Sequence, residues 1–252
     1  MRTVRLTLQY DGTNYAGWQV QENALTVQEL VEKAVATIVK EEVRVAGASR
    51  TDSGVHALGQ VAAFRTSSSV STDKLLRSLN GILPHDIRVT EVSEAEEGFV
   101  PRFAREKLYR YAFGQGGVLS PFQLRYAWHV RERLDMEAMQ AACAPLMGEH
   151  DFTSFTAAGG GEKSHTRTVY WMRIGEGGIV TTCAGDEGIY HIDICANGFL
   201  YKMVRNIVGT LVDVGRGKLM VADMARILGE RDRRLAGPTA PAHGLCLVSV
   251  KY

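Results

Sequence analysis

Strict alternation opens the chain. Val4, Leu6, Leu8 and Tyr10 are apolar against Arg5, Thr7 and Gln9, a period of two that predicts a strand. Asp11-Gly12-Thr13-Asn14 then breaks the pattern as a turn. Thr26 followed by Glu29 has capping-box spacing, and Val27, Leu30, Val31, Ala34, Val35 and Ile38 recur at helical intervals. Strands are expected at about 43–48 and 58–65, a helix at about 73–81 with Leu75, Leu76 and Leu79 on its buried side, and a strand over 87–92 after Pro84. The order is β-α-β-β-α-β.

The second half repeats that rhythm. A strand is expected from Lys107 to Phe113, and a helix at about 135–146 carries Met136, Met139 and Leu146. Strands follow near 167–174 and 188–195, then a strong helix at about 199–214, then a strand from Gly244 to Tyr252. Glycine-rich insertions at 114–117 and 159–161 interrupt this half. The pattern predicts an α+β protein of two split β-α-β, ferredoxin-like subdomains with antiparallel sheets, covering 1–104 and 105–252.

Composition narrows the class. At 252 residues, 45% hydrophobic and 23% charged, the chain has ordinary globular values and enough length for a substantial core. It has neither a run of eighteen apolar residues nor a secretory h-region, so no membrane association is expected and a cytoplasmic setting is the simplest fit. Cys143, Cys183, Cys195 and Cys246 are scattered, without a Cys-x-x-Cys pair, which argues against structural zinc and disulfides. Gly-x-x-x-x-Gly-Lys-Ser/Thr and Gly-x-Ser-x-Gly are both absent. The net charge of +1 is weak guidance, but Arg102, Arg105, Lys107 and Arg110 form one basic stretch, with others at 125–133 and 231–234.

Three segments carry candidate chemistry. Gly47-Ala48-Ser49-Arg50-Thr51-Asp52-Ser53-Gly54-Val55-His56 puts a guanidinium, a carboxylate and an imidazole on a short loop between predicted strands, where catalytic groups are often placed. Asp-Ser-Gly is equally a good plain turn. On the helix at 199–214, Lys202, Arg205, Asn206, Gly209 and Asp213 share one face. A solvated face is the ordinary reading, yet Asn206 and Gly209 are poor choices for an exposed helix surface, and a glycine lets something approach closely. On the strand at 107–113, Lys107, Tyr109, Tyr111 and Phe113 lie on one side, either as core or as a stacking platform for bases. His150-Asp151 reads as a helix-end cap in preference to a metal site.

Taken in order, several strings resemble one family. They are Tyr10-Asp11-Gly12-Thr13-x-Tyr15-x-Gly17-Trp18-Gln19, Gly47 to Ala57, Arg102-Phe103-Ala104 with Lys107-x-Tyr109-Arg110-Tyr111, Gly148 to Phe152, Asn197 to Ile207, Gly237-Pro238-Thr239-Ala240-Pro241, and Gly244-Leu245. The series resembles the TruA family of bacterial tRNA pseudouridine synthases over nearly the whole chain, with Ser49 and Ser53 where that family more often has Gly and Ala.

The resemblance implies isomerisation of uridine to pseudouridine at positions 38, 39 and 40 of the tRNA anticodon stem-loop. It implies a homodimer without metal or cofactor, and a central catalytic cleft between the subdomains. By resemblance Asp52 is the catalytic carboxylate, Arg205 its ion-pair partner, and Tyr109 stacks on the flipped uracil with its hydroxyl as a candidate base. Arg50, Lys202 and Leu245 are implied to bind substrate, as stack filler or phosphate contact, phosphate contact and apolar wall respectively. Two rivals remain: a non-catalytic RNA-binding module, and a nucleoside hydrolase or glycosidase, which ordinarily wants a second carboxylate.

Overall fold

The opening alternation folds as β1 (Arg2–Tyr10), with Val4, Leu6 and Leu8 fully buried. In this computed structural model, which describes residues 1–181 and 185–252, the chain forms two units: Met1–Arg105 with Leu247–Tyr252, and Glu106–Cys246. Cys183 lies outside the described residues; Cys143, Cys195 and Cys246 are buried.

In the first unit β1 is followed by α1 (Val27–Val39), β2 (Ala46–Gly47), β3 (His56–Thr66), α2 (Thr72–Ile82) and β4 (Ile87–Ala95). Thr26 caps α1 by accepting the Glu29 N–H at 3.4 Å, and Ser71 caps α2 through Lys74. Antiparallel pairing joins β4 to β1 and β1 to β3; the sheet continues from β3 into the chain's last strand, and the short β2 pairs antiparallel with β3 off that path. Val27, Val31 and Val35 of α1 and Leu75 and Leu79 of α2 are buried, as their helical spacing requires.

The predicted strand at 43–48 shrinks to the two residues of β2. The Val45 N–H donates to Glu32 Oε1 and its carbonyl accepts from Gln28 Nε2, both at 2.9 Å. Side chains of α1 thus take the backbone groups that a strand ladder would use.

The second unit contains β5 (Glu106–Gln115), α3 (Pro121–Leu124), β6 (Trp128–Val130), α4 (Met136–Cys143), β7 (Gly148–Asp151), β8 (Thr166–Glu176), β9 (Ile189–Ala196), α5 (Met203–Gly215) and α6 (Asp223–Glu230). The last strand, β10 (Leu245–Lys251), has its first two residues in this unit and the rest in the first. Antiparallel pairing runs β5-β9-β8-β7, and β6 adds to β5 in parallel. Helices α4 and α5 pack on each other, α5 on β5 and α4 on β8.

The helix expected from 199 begins at Met203. Lys202 adopts φ 59°, and the backbone of Tyr201 is already engaged, its N–H with Glu162 Oε1 at 3.1 Å and its carbonyl with the Ala157 N–H at 3.1 Å. His150-Asp151 is not at a helix end: both residues lie in β7, and Asp151 Oδ1 accepts the Thr153 N–H at 2.9 Å to start a 3₁₀ turn.

The polar face of α5 is covered. Asn206, Gly209 and Thr210 are buried beneath the segment 237–240. A Cβ on Gly209 would lie 1.7 Å from the Pro238 carbonyl oxygen, so the segment rests on the bare helix backbone. Asn206 Nδ2 donates to Phe155 O at 2.8 Å, while its Oδ1 accepts from Thr239 Oγ1 at 2.6 Å and Arg233 Nη2 at 3.0 Å.

Gly209→Ala is expected to destabilise the protein by about 1–3 kcal/mol through overpacking. Gly229→Ala, on α6 with nothing within 4 Å of the added Cβ, is expected to be neutral or stabilising by up to about 1 kcal/mol. Urea midpoints of the two variants check this; equal midpoints would contradict the contact.

Candidate active site

The loop carrying Asp52 is held by the segment that follows β1. Tyr10 Oη and Thr51 Oγ1 share a hydrogen bond of 2.8 Å. Trp18 N–H donates to Thr51 O at 3.0 Å, and the Gly54 N–H and Ser53 Oγ both donate to Tyr15 O at 3.2 Å. The loop closes on itself where the Val55 N–H meets Asp52 O at 3.1 Å. Both neighbours of Asp52 are therefore pinned by backbone groups, which fixes where its carboxylate starts. Asp52 is half-buried and Arg50 is exposed.

Two glycines permit this approach. A Cβ on Gly12 would lie 2.0 Å from Val55 O, and one on Gly17 would lie 2.5 Å from Thr51 O. Gly17 also takes φ +95°, which an L side chain rarely adopts. A register slip places Tyr10 correctly: Leu8 pairs with Gln60 but Tyr10 with Ala57, so β3 has one extra residue there.

His56 is buried and belongs to the scaffold. Its Nδ1 accepts the Gly12 N–H at 3.0 Å. Asp11 Oδ1 is 3.1 Å from the same nitrogen. Gln60, fully buried within the apolar run of β3, spans the loop's entrance: Nε2 donates to Ser49 O at 2.6 Å and Oε1 accepts the Ser49 N–H at 3.2 Å. An amide next to Val61, Ala62, Ala63 and Phe64 is the one sign of this role in the sequence.

The other candidate residues belong to the second unit. Tyr109 is buried on β5 opposite Ile194, and its ring meets Phe199 edge-on at 5.0 Å. Tyr111 and Phe113 on the same side are core residues; the Tyr111 hydroxyl donates to Pro241 O at 2.8 Å. The strand face thus reads as core at Tyr109, Tyr111 and Phe113, all of them buried.

Arg205 is half-buried on α5 and clamped to the covering segment: its Nε donates to Ala240 O at 2.8 Å, and the Ala240 N–H donates to Arg205 O at 3.1 Å. The fixed charge of Arg205 is felt by its neighbours. Burial pushes the Tyr111 phenol well up while Arg205 pulls it down, and His243 is lowered by burial and then by Arg205. Lys202 is half-buried with its Nζ over the Tyr201 ring at 5.0 Å, and Leu245 is buried at the start of β10. Among the described residues no three His, Cys, Asp or Glu side chains gather as a metal cluster, and no helix is long and apolar enough to cross a membrane.

Comparison with known proteins bears directly on these two assemblies. A family model described as tRNA pseudouridine synthase matches residues 7–103 and 142–252, a span that includes Asp52 and Arg205. The tRNA pseudouridine synthase A of Geobacter sulfurreducens is 46% identical over 253 residues, covering all of both chains. Those of Thermoanaerobacter sp. (strain X514) and Ruminiclostridium cellulolyticum are each 44% identical, again over the full length of both. With a match of that extent, the carboxylate loop and the clamped arginine helix are parts of an enzyme that isomerises uridine to pseudouridine in tRNA, and the chain belongs to the tRNA pseudouridine synthase family.

Proposed function

We propose that the protein converts uridines 38, 39 and 40 of the tRNA anticodon stem-loop to pseudouridine, with Asp52 as the catalytic carboxylate. The observation that carries this reading is the mounting of Asp52: a half-buried acid whose flanking residues are pinned by Trp18, Tyr15 and Tyr10. Such a mount holds a reacting group within the narrow tolerance that catalysis needs.

The reaction breaks the N1–C1′ bond, turns the uracil and joins C5 to C1′; the C5 proton is lost and N1 regains one. Asp52 assists by holding one fragment while the base rotates. The same reading takes Arg205 as the cation that pairs with that carboxylate. The target base leaves the stem, at a cost of a few kcal/mol, and stacks on Tyr109, whose hydroxyl is the candidate base for the C5 proton. Leu245 forms an apolar wall against it. Arg50 fills the vacated stack or holds phosphate, and Lys202 contacts the RNA backbone.

The same reading takes 1–104 and 105–252 as ferredoxin-like subdomains and the enzyme as a cytoplasmic homodimer. The antiparallel pairing of β4 with β1, β1 with β3 and β2 with β3 in the first unit supports the first of these for that unit.

Asp52→Asn is expected to lower tritium release from C5-labelled uridine in tRNA by at least about 10³-fold, with tRNA affinity changed less than about threefold. Unchanged release would remove Asp52 from the mechanism. Carbodiimide mapping of the modified tRNA checks the positions; pseudouridine outside 38–40 would redirect the substrate assignment.

Arg205→Ala is expected to reduce kcat by about 10²-fold with little change in Kd. A loss confined to Kd would make Arg205 a phosphate contact.

A further inference from the structure

At Ser49 the chain leaves the sheet of the first unit. Up to that point β2 pairs main chain to main chain with β3, Ala46 with Ala63 and Gly47 with Ala62, and the Ala48 N–H still donates to Val61 O at 2.8 Å. One residue later the partner changes. The Ser49 N–H donates to Gln60 Oε1 at 3.2 Å, and Ser49 O accepts from Gln60 Nε2 at 2.6 Å. A backbone N–H only donates and a carbonyl only accepts, so Ser49 dictates which end of the amide carries the nitrogen. The Gln60 side chain stands in for one peptide group and extends the ladder by a step after the main chain has turned away.

The same amide reaches further along the loop. Gln60 is fully buried, opposite Leu8 of β1 and beside the register slip that precedes Tyr10. Its Nε2 also donates to Tyr10 Oη at 3.4 Å, and that hydroxyl shares the 2.8 Å bond with Thr51 Oγ1. Gln60 therefore acts on both sides of Arg50, on Ser49 directly and on Thr51 through Tyr10; Asp52 is the next residue. An apolar side chain of the same size would leave the Ser49 N–H and carbonyl to find other partners, at the cost of moving the loop or admitting water.

We infer that Gln60 is a positioning residue of the reaction: its amide fixes the point from which the loop departs the sheet, and through Ser49 and Thr51 it sets where the Asp52 carboxylate stands. This rests on the proposed role of Asp52 as the catalytic carboxylate. Gln60 itself touches neither RNA nor the reacting atoms.

The test separates position from stability. Gln60→Met keeps the volume and removes the amide. It is expected to lower kcat for tritium release from C5-labelled tRNA by about 10²-fold, the usual cost of misplacing a reacting group by about an ångström, with tRNA Kd changed less than about threefold. Tyr10→Phe removes only the bridging hydroxyl and is expected to lower kcat by about 5–10-fold, again without a change in Kd. Leu75→Ala, in the core on α2, is the stability control: it should lower the urea midpoint at least as far as either variant yet keep kcat within about twofold. Unchanged kcat in Gln60→Met, a loss confined to Kd, or an equal fall of kcat in Leu75→Ala would each overturn the positioning role. Should Gln60→Met not fold, Tyr10→Phe decides by the same criteria. Full release by Asp52→Asn would remove the catalytic reading of Asp52 whatever Gln60→Met showed. Loss in Asp52→Asn with none in Gln60→Met would remove Gln60 alone.

Discussion

The first unit depends on the approach of one backbone to another. The segment from Tyr10 to Trp18 lies against residues 51–55 so closely that neither Gly12 nor Gly17 has room for a methyl group. Backbone donors and acceptors then meet directly, through Trp18 with Thr51 and Tyr15 with Gly54. Each such bond contributes only about 1 kcal/mol net, but leaving a buried N–H or carbonyl unpaired costs more. The loop is thus held in one conformation by the penalty for the alternatives. Asp52 takes its backbone position from that scaffold.

The second unit solves the same problem with a helix. Gly209 exposes the backbone of α5 to Pro238, and Asn206 uses both ends of its amide to bind Phe155, Thr239 and Arg233. Arg205, one residue before Asn206, is tied to Ala240 through both its side chain and its main chain. In both units a stretch that looks like a loop motif in sequence acts as a mount for a charged residue elsewhere. That is the physical reason those strings of glycines and small polar residues sit far apart in the chain yet belong together.

Periodicity was enough for the long elements. Alternation over Val4–Tyr10 and the helical stripes of α1 and α2 report burial on one side, and burial is what the structure has there. It misled at Val43–Val45, whose backbone partners Gln28 and Glu32 lie on a helix and leave no period in the strand. It overran at 199–202, where the backbone of Tyr201 is engaged by Glu162 and Ala157. The short β6, β7 and α3 were too brief to show a pattern. Of the candidate site, Gly209 and Asn206 were legible as misfits on a helix surface. The role proposed for Asp52 comes from resemblance alone, because a turn and a catalytic loop use the same residues.

The bonds from α1 to Val45 also bear on solubility. A sheet that ends in a long strand with unused N–H and carbonyl groups invites a second chain to pair there. In the first unit β2 has only two residues, and the main chain just before it is already occupied by Gln28 and Glu32. At the outer strand, β4 carries Glu91 and Glu94 toward Arg5 and Arg2, charges that an incoming strand would have to displace. Ion pairs thus guard the outer strand, and a helix's side chains occupy the main chain that leads into β2.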